Sequence, residues 1–316
     1  MALVFDRCFF IAEHCLQELK EKRQINIFKK KENGNMRILA PAKINLALDV
    51  ISRRPDGYHQ VDMIMQSVEL ADLLTLEPAA TIELACNRDN LPADGRNLVR
   101  RAARLLQEVT GITEGVKITL EKRIPVAAGL GGGSADAAAA LIGLNELWGL
   151  GLSQAELLQI GARLGADIPF CIMKGTARAR GIGEELTPIN SRLNCRVLLV
   201  TPDMPVSTAS IYQKLQLDKI SRRPRIDSIV AALEDGDLHR LFKSWGNVLE
   251  EVVLRENALV RSVKSYFKRF GLEDCLMSGS GPSVFTLDPP REIVEPFLKE
   301  LPANWFGCLT RFQNEQ

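Results

Sequence analysis

Apolar and polar residues alternate over several short stretches of the chain, and this alternation predicts β-strands. The clearest example covers residues 43–50. Its apolar face would consist of Ile44, Leu46, Leu48 and Val50, and its opposite face of Lys43, Asn45 and Asp49. Further strands are predicted at 61–70, 116–120, 196–201, 283–287 and 307–311, with a hairpin formed from 75–77 and 81–84.

Other stretches have the 3.6-residue period of helices. Helices are predicted at 97–109, 135–148, 226–233 and 248–270, the second of them apolar almost all round and therefore buried. Another should begin at the capping box of Ser153 and Glu156 and stop at Gly165. Strands and helices that mix without a regular βαβ repeat favour an α+β fold.

The chain divides into three predicted parts. Residues 1–35 contain a charged run at 20–31 that favours a solvated helix end, followed by a polar linker at 32–35. These residues are either a dispensable extension or a partner-binding helix. The first alternative includes the case in which the start codon has been assigned too far upstream. The total of 316 residues favours two domains in the remainder, and we place them at 36–190 and 191–316.

The overall charge argues against several classes of partner. Lys and Arg number 40 and Asp and Glu 39, so the formal charge is +1. Such a surface lacks the general attraction on which non-specific binding to nucleic acids or anionic membranes depends. No stretch reaches the ~18 consecutive apolar residues of a membrane span, and the first residues lack a secretory signal. We expect a cytoplasmic protein, either a monomer or a homodimer.

The cysteines and histidines do not form a recognisable metal or disulfide pattern. The seven cysteines are scattered without a Cys-x-x-Cys pair, and there are only three histidines. An odd, irregular set of cysteines argues against a disulfide framework and against a zinc site. We therefore expect reduced thiols, several of them buried.

A glycine-rich segment is the strongest candidate for chemistry. It consists of Pro125, Val126, Ala127, Ala128, Gly129, Leu130, Gly131, Gly132, Gly133 and Ser134, and the predicted buried helix starts at Ala135. The glycines leave backbone N–H groups uncovered, and the helix points its positive end at the same place, which suits a polyphosphate. A hinge or a close packing contact is the alternative. Ser134 and Ala135 depart from both the P-loop and the dinucleotide-binding patterns.

Three other segments are candidates that each have an ordinary structural alternative. Asp167 follows Gly165-Ala166 and precedes Ile168-Pro169, which predicts a rigid corner between a helix and a strand, or simply a turn aspartate. Lys43 and Asn45 share a strand face that could equally be a solvated outer face. A second glycine-rich turn at 277–283 leads into a strand, and could be no more than a tight turn.

Taken together, these segments resemble the GHMP kinase superfamily, whose signature is Pro-x-x-x-Gly-Leu-x-Ser-Ser-Ala. The extra glycines before Ser134 are similar to one branch, the kinases of 4-diphosphocytidyl-2-C-methyl-D-erythritol in the non-mevalonate pathway of isoprenoid biosynthesis. Three other segments resemble the same branch. They are Pro-Ala-Lys-Ile-Asn-Leu at 41–46, Arg-Pro-Asp-Gly-Tyr-His at 54–59 and Gly-Ala-Asp-Ile-Pro-Phe at 165–170. The turn at 277–285 is similar as well.

The resemblance implies a two-domain α+β fold with the active site in the cleft between the domains. It implies that Asp167 is the base that accepts the proton of the substrate's tertiary hydroxyl. Lys43 would lie beside it, keep it ionised and neutralise charge on the transferring phosphoryl group. Asn45 would orient the substrate.

The resemblance also implies two binding regions in that cleft. The glycine-rich segment up to Ala135 would bind the phosphates of ATP, with Mg²⁺ bridging them, and Asn97 would contact the nucleotide. Tyr58, His59 and Tyr212 would contact the cytosine of the second substrate. We identify no side chain as a metal ligand.

Two alternatives stay open at this point. One is a different small-molecule kinase of the superfamily, of the homoserine or mevalonate kinase type, although Tyr58 and His59 suit a nucleobase better than a small acid. The other is a non-catalytic nucleotide sensor, although such a protein would not need Lys43 beside Asp167.

Overall fold

The computed structural model describes residues 28–32 and 35–314. The strands are β1 (Phe28–Glu32), β2 (Asn35–Arg53), β3 (His59–Ala79), β4 (Ile82–Cys86), β5 (Gly115–Glu121), β6 (Thr176–Arg180), β7 (Glu185–Pro188), β8 (Arg196–Pro202), β9 (Gly246–Asn247), β10 (Leu276–Met277), β11 (Val284–Leu287) and β12 (Trp305–Arg311). The helices are α1 (Leu98–Thr110), α2 (Gly132–Leu147), α3 (Gln154–Ala162), α4 (Ile168–Met173), α5 (Thr208–Lys214), α6 (Ile226–Asp235), α7 (Leu238–Ser244), α8 (Val248–Glu256), α9 (Ala258–Arg269) and α10 (Arg291–Lys299), with a 3₁₀ turn at Leu217–Lys219.

The strands form two sheets, and the predicted α+β class is confirmed. The larger sheet has the order β1-β2-β3-β5-β4, with β6 on β3, β7 on β6 and the short β9 parallel to β2. The smaller sheet has the order β10-β11-β8-β12 and is antiparallel. The buried helix α2 packs across β2 and β3, which brings its first turn to the functional site described below.

Two hydrophobic clusters form the core, and each draws side chains from both sides of residue 190. The first joins α2 and the larger sheet to α8 and α9, and the second joins β2 to α6, α7 and the smaller sheet. The predicted boundary at 190/191 falls between β7 and β8 and remains a proposal. Within residues 28–32 and 35–314, no helix has the length and apolar character needed to cross a membrane.

A β-bulge in β2 changes the faces that the alternation predicts. The register of β2 against β3 shifts between Asn45 and Ala47. Before the bulge Ile44 packs into the second cluster, whereas after it Leu48 packs into the first. The prediction of one apolar face through residues 44–50 was therefore wrong, because one extra residue in a strand reverses which side chains point to each face.

Two strand pairings also differ from the predictions. β4 pairs parallel to β5 and does not form a hairpin with residues 75–77, because β5 lies between β3 and β4 in the sheet. β1 falls in the charged run predicted to end a helix, and it pairs antiparallel with β2. The remainder of the predicted extension, residues 1–27, lies outside the described residues.

The helix boundaries follow the capping residues. The capping box of Ser153 and Glu156 is present and opens α3. The predicted helix 248–270 is two helices, because the Asn257 side chain accepts two backbone N–H groups and starts α9. α2 begins at Gly132, three residues earlier than predicted, so the glycine-rich segment supplies its first turn.

Candidate active site

A cleft of about 890 Å³ brings the candidate residues together. Its lining includes Lys43, Asn45, Tyr58, His59, Asn97, Asp167 and Tyr212, together with Pro125, Val126, Ala127, Ala128, Gly129, Gly131, Gly132, Gly133 and Ser134. Two predicted members, Leu130 and Ala135, are each 1% exposed and lie behind the loop in the core. The residues that line the cleft come from both predicted domains, 36–190 and 191–316. The position of the cleft therefore fits the predicted inter-domain site.

The glycine-rich loop adopts a conformation that its glycines permit. Gly129 and Gly131 have φ values of +75° and +67°, in the left-handed region that disfavours other residues. A Cβ on Gly129 would lie 2.1 Å from the carbonyl oxygen of Ser278, and one on Gly131 would lie 2.9 Å from Cγ of Lys43. The loop thus lies tightly against its neighbours and leads directly into the N-terminus of α2, which is a favourable place for phosphate.

The second glycine-rich turn, at 277–283, holds this loop in place. Ser278 accepts a hydrogen bond from the Asn45 backbone N–H at 3.3 Å and donates one to the Gly129 carbonyl at 2.9 Å. The Asn247 amide donates to the carbonyls of Met277 and Gly279 at 2.8 and 2.7 Å. The sequence singled out the turn but not Asn247, whose partners lie thirty or more residues away.

Lys43 and Asp167 meet at the floor of the cleft. The Lys43 ammonium nitrogen lies 3.6 Å from Oδ2 of Asp167 and donates to Oδ1 of Asn45 at 2.8 Å. The Lys43 side chain is 7% exposed and that of Asp167 33%, so the carboxylate faces the cleft. The alternative of a solvated outer face for Lys43 and Asn45 was wrong. Asp49, predicted on the same face, pairs with Arg223 instead.

Asp167 is positioned by two helices and not by a helix and a strand. It is the residue immediately before α4, and Pro169 lies in the first turn of that helix. Proline is tolerated there because its missing N–H would have no partner within the helix. The predicted strand after Asp167 was therefore wrong, although the tight corner is present.

Aromatic side chains also line the cleft. The rings of His59 and Tyr212 lie 5.2 Å apart at 40°, and Tyr58 is 61% exposed at the tip of the β2–β3 turn. Burial and then the charge of Arg53 lower the pKa of His59, so its imidazole is neutral at neutral pH. Burial and then the Asp167 carboxylate raise the pKa of the Tyr212 hydroxyl.

Asn97 has a structural role in the cleft wall. Its side-chain oxygen accepts from the Val99 backbone N–H at 2.9 Å and caps α1, while its amide donates to the Pro92 carbonyl at 2.8 Å. Its predicted contact with the nucleotide stays a prediction.

Comparison with known proteins adds an independent line of evidence. Residues 97–175 match the model of the GHMP kinases N terminal domain, and residues 224–306 match that of the GHMP kinases C terminal domain. The 4-diphosphocytidyl-2-C-methyl-D-erythritol kinase of Geobacillus thermodenitrificans (strain NG80-2) is 50% identical over 253 residues, which cover 79% of this chain and 87% of that one. The chain belongs to the 4-diphosphocytidyl-2-C-methyl-D-erythritol kinase family.

Solved structures place this family member among the GHMP kinases. A crystal structure of 4-(cytidine 5'-diphospho)-2C-methyl-D-erythritol kinase is 34% identical, with a TM-score of 0.75 over 89% of this chain and 100% of that one. The homoserine kinase from Cytophaga hutchinsonii ATCC 33406 has a TM-score of 0.70 over 92% of this chain and 98% of that one, at 19% identity. The second match shows the fold alone.

A divalent cation bound with a nucleotide would need oxygen ligands in the cleft. The described part of the chain contains no group of three or more His, Cys, Asp or Glu residues that could hold a metal ion by itself. Mg²⁺ is usually bound by one or two protein oxygens together with substrate phosphates and water. The Ser134 hydroxyl, which lines the cleft, fits that requirement.

Proposed function

We propose that the chain transfers the γ-phosphoryl group of ATP to the tertiary hydroxyl, at the 2-position, of 4-diphosphocytidyl-2-C-methyl-D-erythritol. The observation that carries this proposal is that Lys43 and Asp167 form a close pair in one cleft, whose lining also includes the glycine-rich loop and the rings of Tyr58, His59 and Tyr212. The relatives named for this activity support the same reaction.

Asp167 acts as the general base in this proposal. Its carboxylate accepts the hydroxyl proton while the freed oxygen attacks the γ-phosphorus, and the bond from that phosphorus to the bridging oxygen of ADP breaks. Lys43, 3.6 Å away, stabilises the ionised carboxylate and the charge on the transferring group. Asn45 accepts a hydrogen bond from the Lys43 ammonium and lines the cleft, where it is placed to contact the substrate.

The loop and the first turn of α2 bind the ATP phosphates. Backbone N–H groups of Gly131, Gly132 and Gly133 are the donors that side chains do not cover, and the helix N-terminus adds a partial positive charge. Mg²⁺ would neutralise the β- and γ-phosphates, with the Ser134 hydroxyl as a protein ligand.

The aromatic side chains of the cleft bind cytosine. Tyr58 offers an exposed ring face on which a base can stack, and the neutral imidazole of His59 can hydrogen-bond to the edge of a base. Tyr212 is half-buried, and its ring lies 5.2 Å from that of His59, so it is placed to contact the base as well. Homoserine and mevalonate have no ring that would use these side chains.

We also propose a cytoplasmic location, in which ATP is abundant and thiols stay reduced. Cys86, Cys171, Cys195 and Cys275 are free thiols, which suits a reducing compartment. Both a monomer and a homodimer are compatible with this location.

We also propose that the boundary at 190/191 separates the two domains.

The proposal is tested with magnesium-ATP and each of three acceptors: 4-diphosphocytidyl-2-C-methyl-D-erythritol, homoserine and mevalonate. We expect ADP only with the first, together with a new ³¹P resonance of a monoester on a tertiary carbon. ADP formation with homoserine or mevalonate alone would assign the chain to another reaction of the fold. Nucleotide binding without ADP from any acceptor would favour a sensor.

A further inference from the structure

Three charged side chains are buried beneath the phosphate-binding loop. The Lys122 ammonium donates hydrogen bonds to carboxylate oxygens of Asp72 and Asp136, the latter at 2.7 Å. Lys122 is 4% exposed, Asp72 0% and Asp136 3%. Removing three such groups from water carries a large desolvation cost, so a buried ionic cluster is weak evidence for added stability. Its position in the fold points to a different role.

The cluster connects both ends of the glycine-rich loop to the central sheet. On the entry side, Oδ1 of Asp72 accepts the backbone N–H groups of Arg123 and Ile124 at 2.5 and 2.8 Å, just before the loop starts. On the exit side, Asp136 belongs to the second turn of α2, where the loop has ended. Lys122 joins the two carboxylates and so fixes the distance between the two ends.

Lys122 also lies directly below the loop backbone. A Cβ added to Gly132 would lie 3.2 Å from the Lys122 nitrogen, so the ammonium packs against the first residue of α2.

One carboxylate oxygen of the cluster is without a partner. Oδ1 of Asp136 is buried and has no hydrogen-bond partner within residues 35–314. Burial and then the nearby Asp72 raise the pKa of Asp136, with Lys122 opposing both.

We propose that Lys122 is a positioning residue for ATP, which holds the loop from Pro125 to Ser134 in its phosphate-binding shape by linking Asp72 to Asp136. The inference rests on the proposed function only in taking the bound phosphates to be those of ATP. Lys122 is 4% exposed and packs against the first turn of α2, so in this proposal it acts on ATP through the loop. Its loss should therefore weaken the binding of ATP and leave the binding of the cytidine substrate unchanged.

The test is Lys122→Met in the full chain, with steady-state kinetics for both substrates. We expect KM for ATP to rise by about 10- to 100-fold, which is the usual effect of misplacing a preorganised contact, while KM for the cytidine substrate stays within about twofold. Arg196→Met is the matched control, because Arg196 has a partly buried ion pair with Asp288 and lies outside the cleft lining. An unchanged KM for ATP, or an equal rise for both substrates, would overturn the proposal.

A second variant covers the case in which Lys122→Met does not fold. Lys122→Met/Asp136→Asn removes the ammonium together with one of the carboxylates that would lose its partner. Calorimetric titration of this variant with ATP, without acceptor, should show the same 10- to 100-fold loss, while Asp136→Asn alone, which keeps an oxygen acceptor for Lys122, stays within about threefold. Wild-type affinity in the double variant would overturn the proposal. Since this titration needs no turnover, it is readable even if the proposed reaction is wrong.

Discussion

The Lys43 ammonium nitrogen lies 3.6 Å from Oδ2 of Asp167, although the two residues belong to segments 124 positions apart in a chain of 316. β2 supplies the lysine and the short turn before α4 supplies the aspartate. The Lys43 ammonium also donates a hydrogen bond to the Asn45 side chain, so the position of the lysine does not depend on substrate. In the proposed mechanism, this prearranged pair is what separates a phosphoryl-transfer site from a simple nucleotide pocket.

Replacing Asp167 by Asn should remove the base without disturbing the fold. The amide has nearly the same shape, and Asp167 makes no side-chain capping bond to α4. We expect kcat to fall by about 10²- to 10⁴-fold, the usual contribution of a general base. The urea unfolding midpoint and the affinity for ATP should stay close to those of the wild type. A variant that retains near-normal kcat would exclude Asp167 as the base.

Replacing Tyr58 by Ala should affect only the cytidine substrate. Stacking of a base on an aromatic ring contributes about 1–3 kcal/mol, so KM for this substrate should rise by about 5- to 150-fold. Because Tyr58 is 61% exposed, the free energy of unfolding should change little. Ile51→Ala, also at an exposed apolar residue but outside the cleft lining, is the control. Equal rises in KM for ATP and for the cytidine substrate would contradict the cytosine assignment.

Gly129→Ala should destabilise the protein more than Gly111→Ala. Both glycines have left-handed φ values, +75° and +73°, so the backbone strain is similar. A Cβ on Gly129 would lie 2.1 Å from the Ser278 carbonyl oxygen, whereas one on Gly111 meets nothing within 4 Å. We expect about 1 kcal/mol for Gly111→Ala and at least about 2 kcal/mol more for Gly129→Ala, measured by urea unfolding. Equal effects would mean that the loop is not packed against the 277–283 turn.

The pKa of His59 predicts how stability changes with pH. The pKa of His59 is lowered in the folded protein. Between that lowered pKa and the ordinary value of 6.5, the unfolded chain therefore binds a proton that the folded protein does not bind. The neutral imidazole is therefore retained above pH 6.5, and stability is lost as the pH falls from 6.5 through the folded-state pKa. As the pH is lowered from 7 to 5, the urea unfolding midpoint of the wild type should fall by more than that of His59→Gln. Parallel curves for the two proteins would show that His59 is not buried as described.

The sequence predicted the local features of the site and missed the long-range ones. The glycine-rich loop, the capping box at Ser153 and the corner at Asp167 all depend on residues within a few positions of each other, and each could be identified from the chain alone. The bulge between Asn45 and Ala47 could not, because it depends on which residues of β3 lie opposite.

The buried cluster below the loop shows the same limit. Lys122 stands in a charged stretch, Glu-Lys-Arg, that is typical of a solvated turn, and its partner Asp72 lies 50 residues earlier. Only the packing of β3 against α2 makes that lysine a buried residue. Asn247 is comparable, since its amide contacts carbonyls that are 30 and 32 residues away.

The most direct test of the account is ADP release by the purified protein with magnesium-ATP in two parallel reactions. One contains 4-diphosphocytidyl-2-C-methyl-D-erythritol, and the other contains the same compound without its cytidine half. We predict ADP in the first reaction and none above background in the second. Equal ADP formation in both would contradict the cytosine site, and no ADP in either, with ATP still bound, would contradict the assignment of the chain as a kinase.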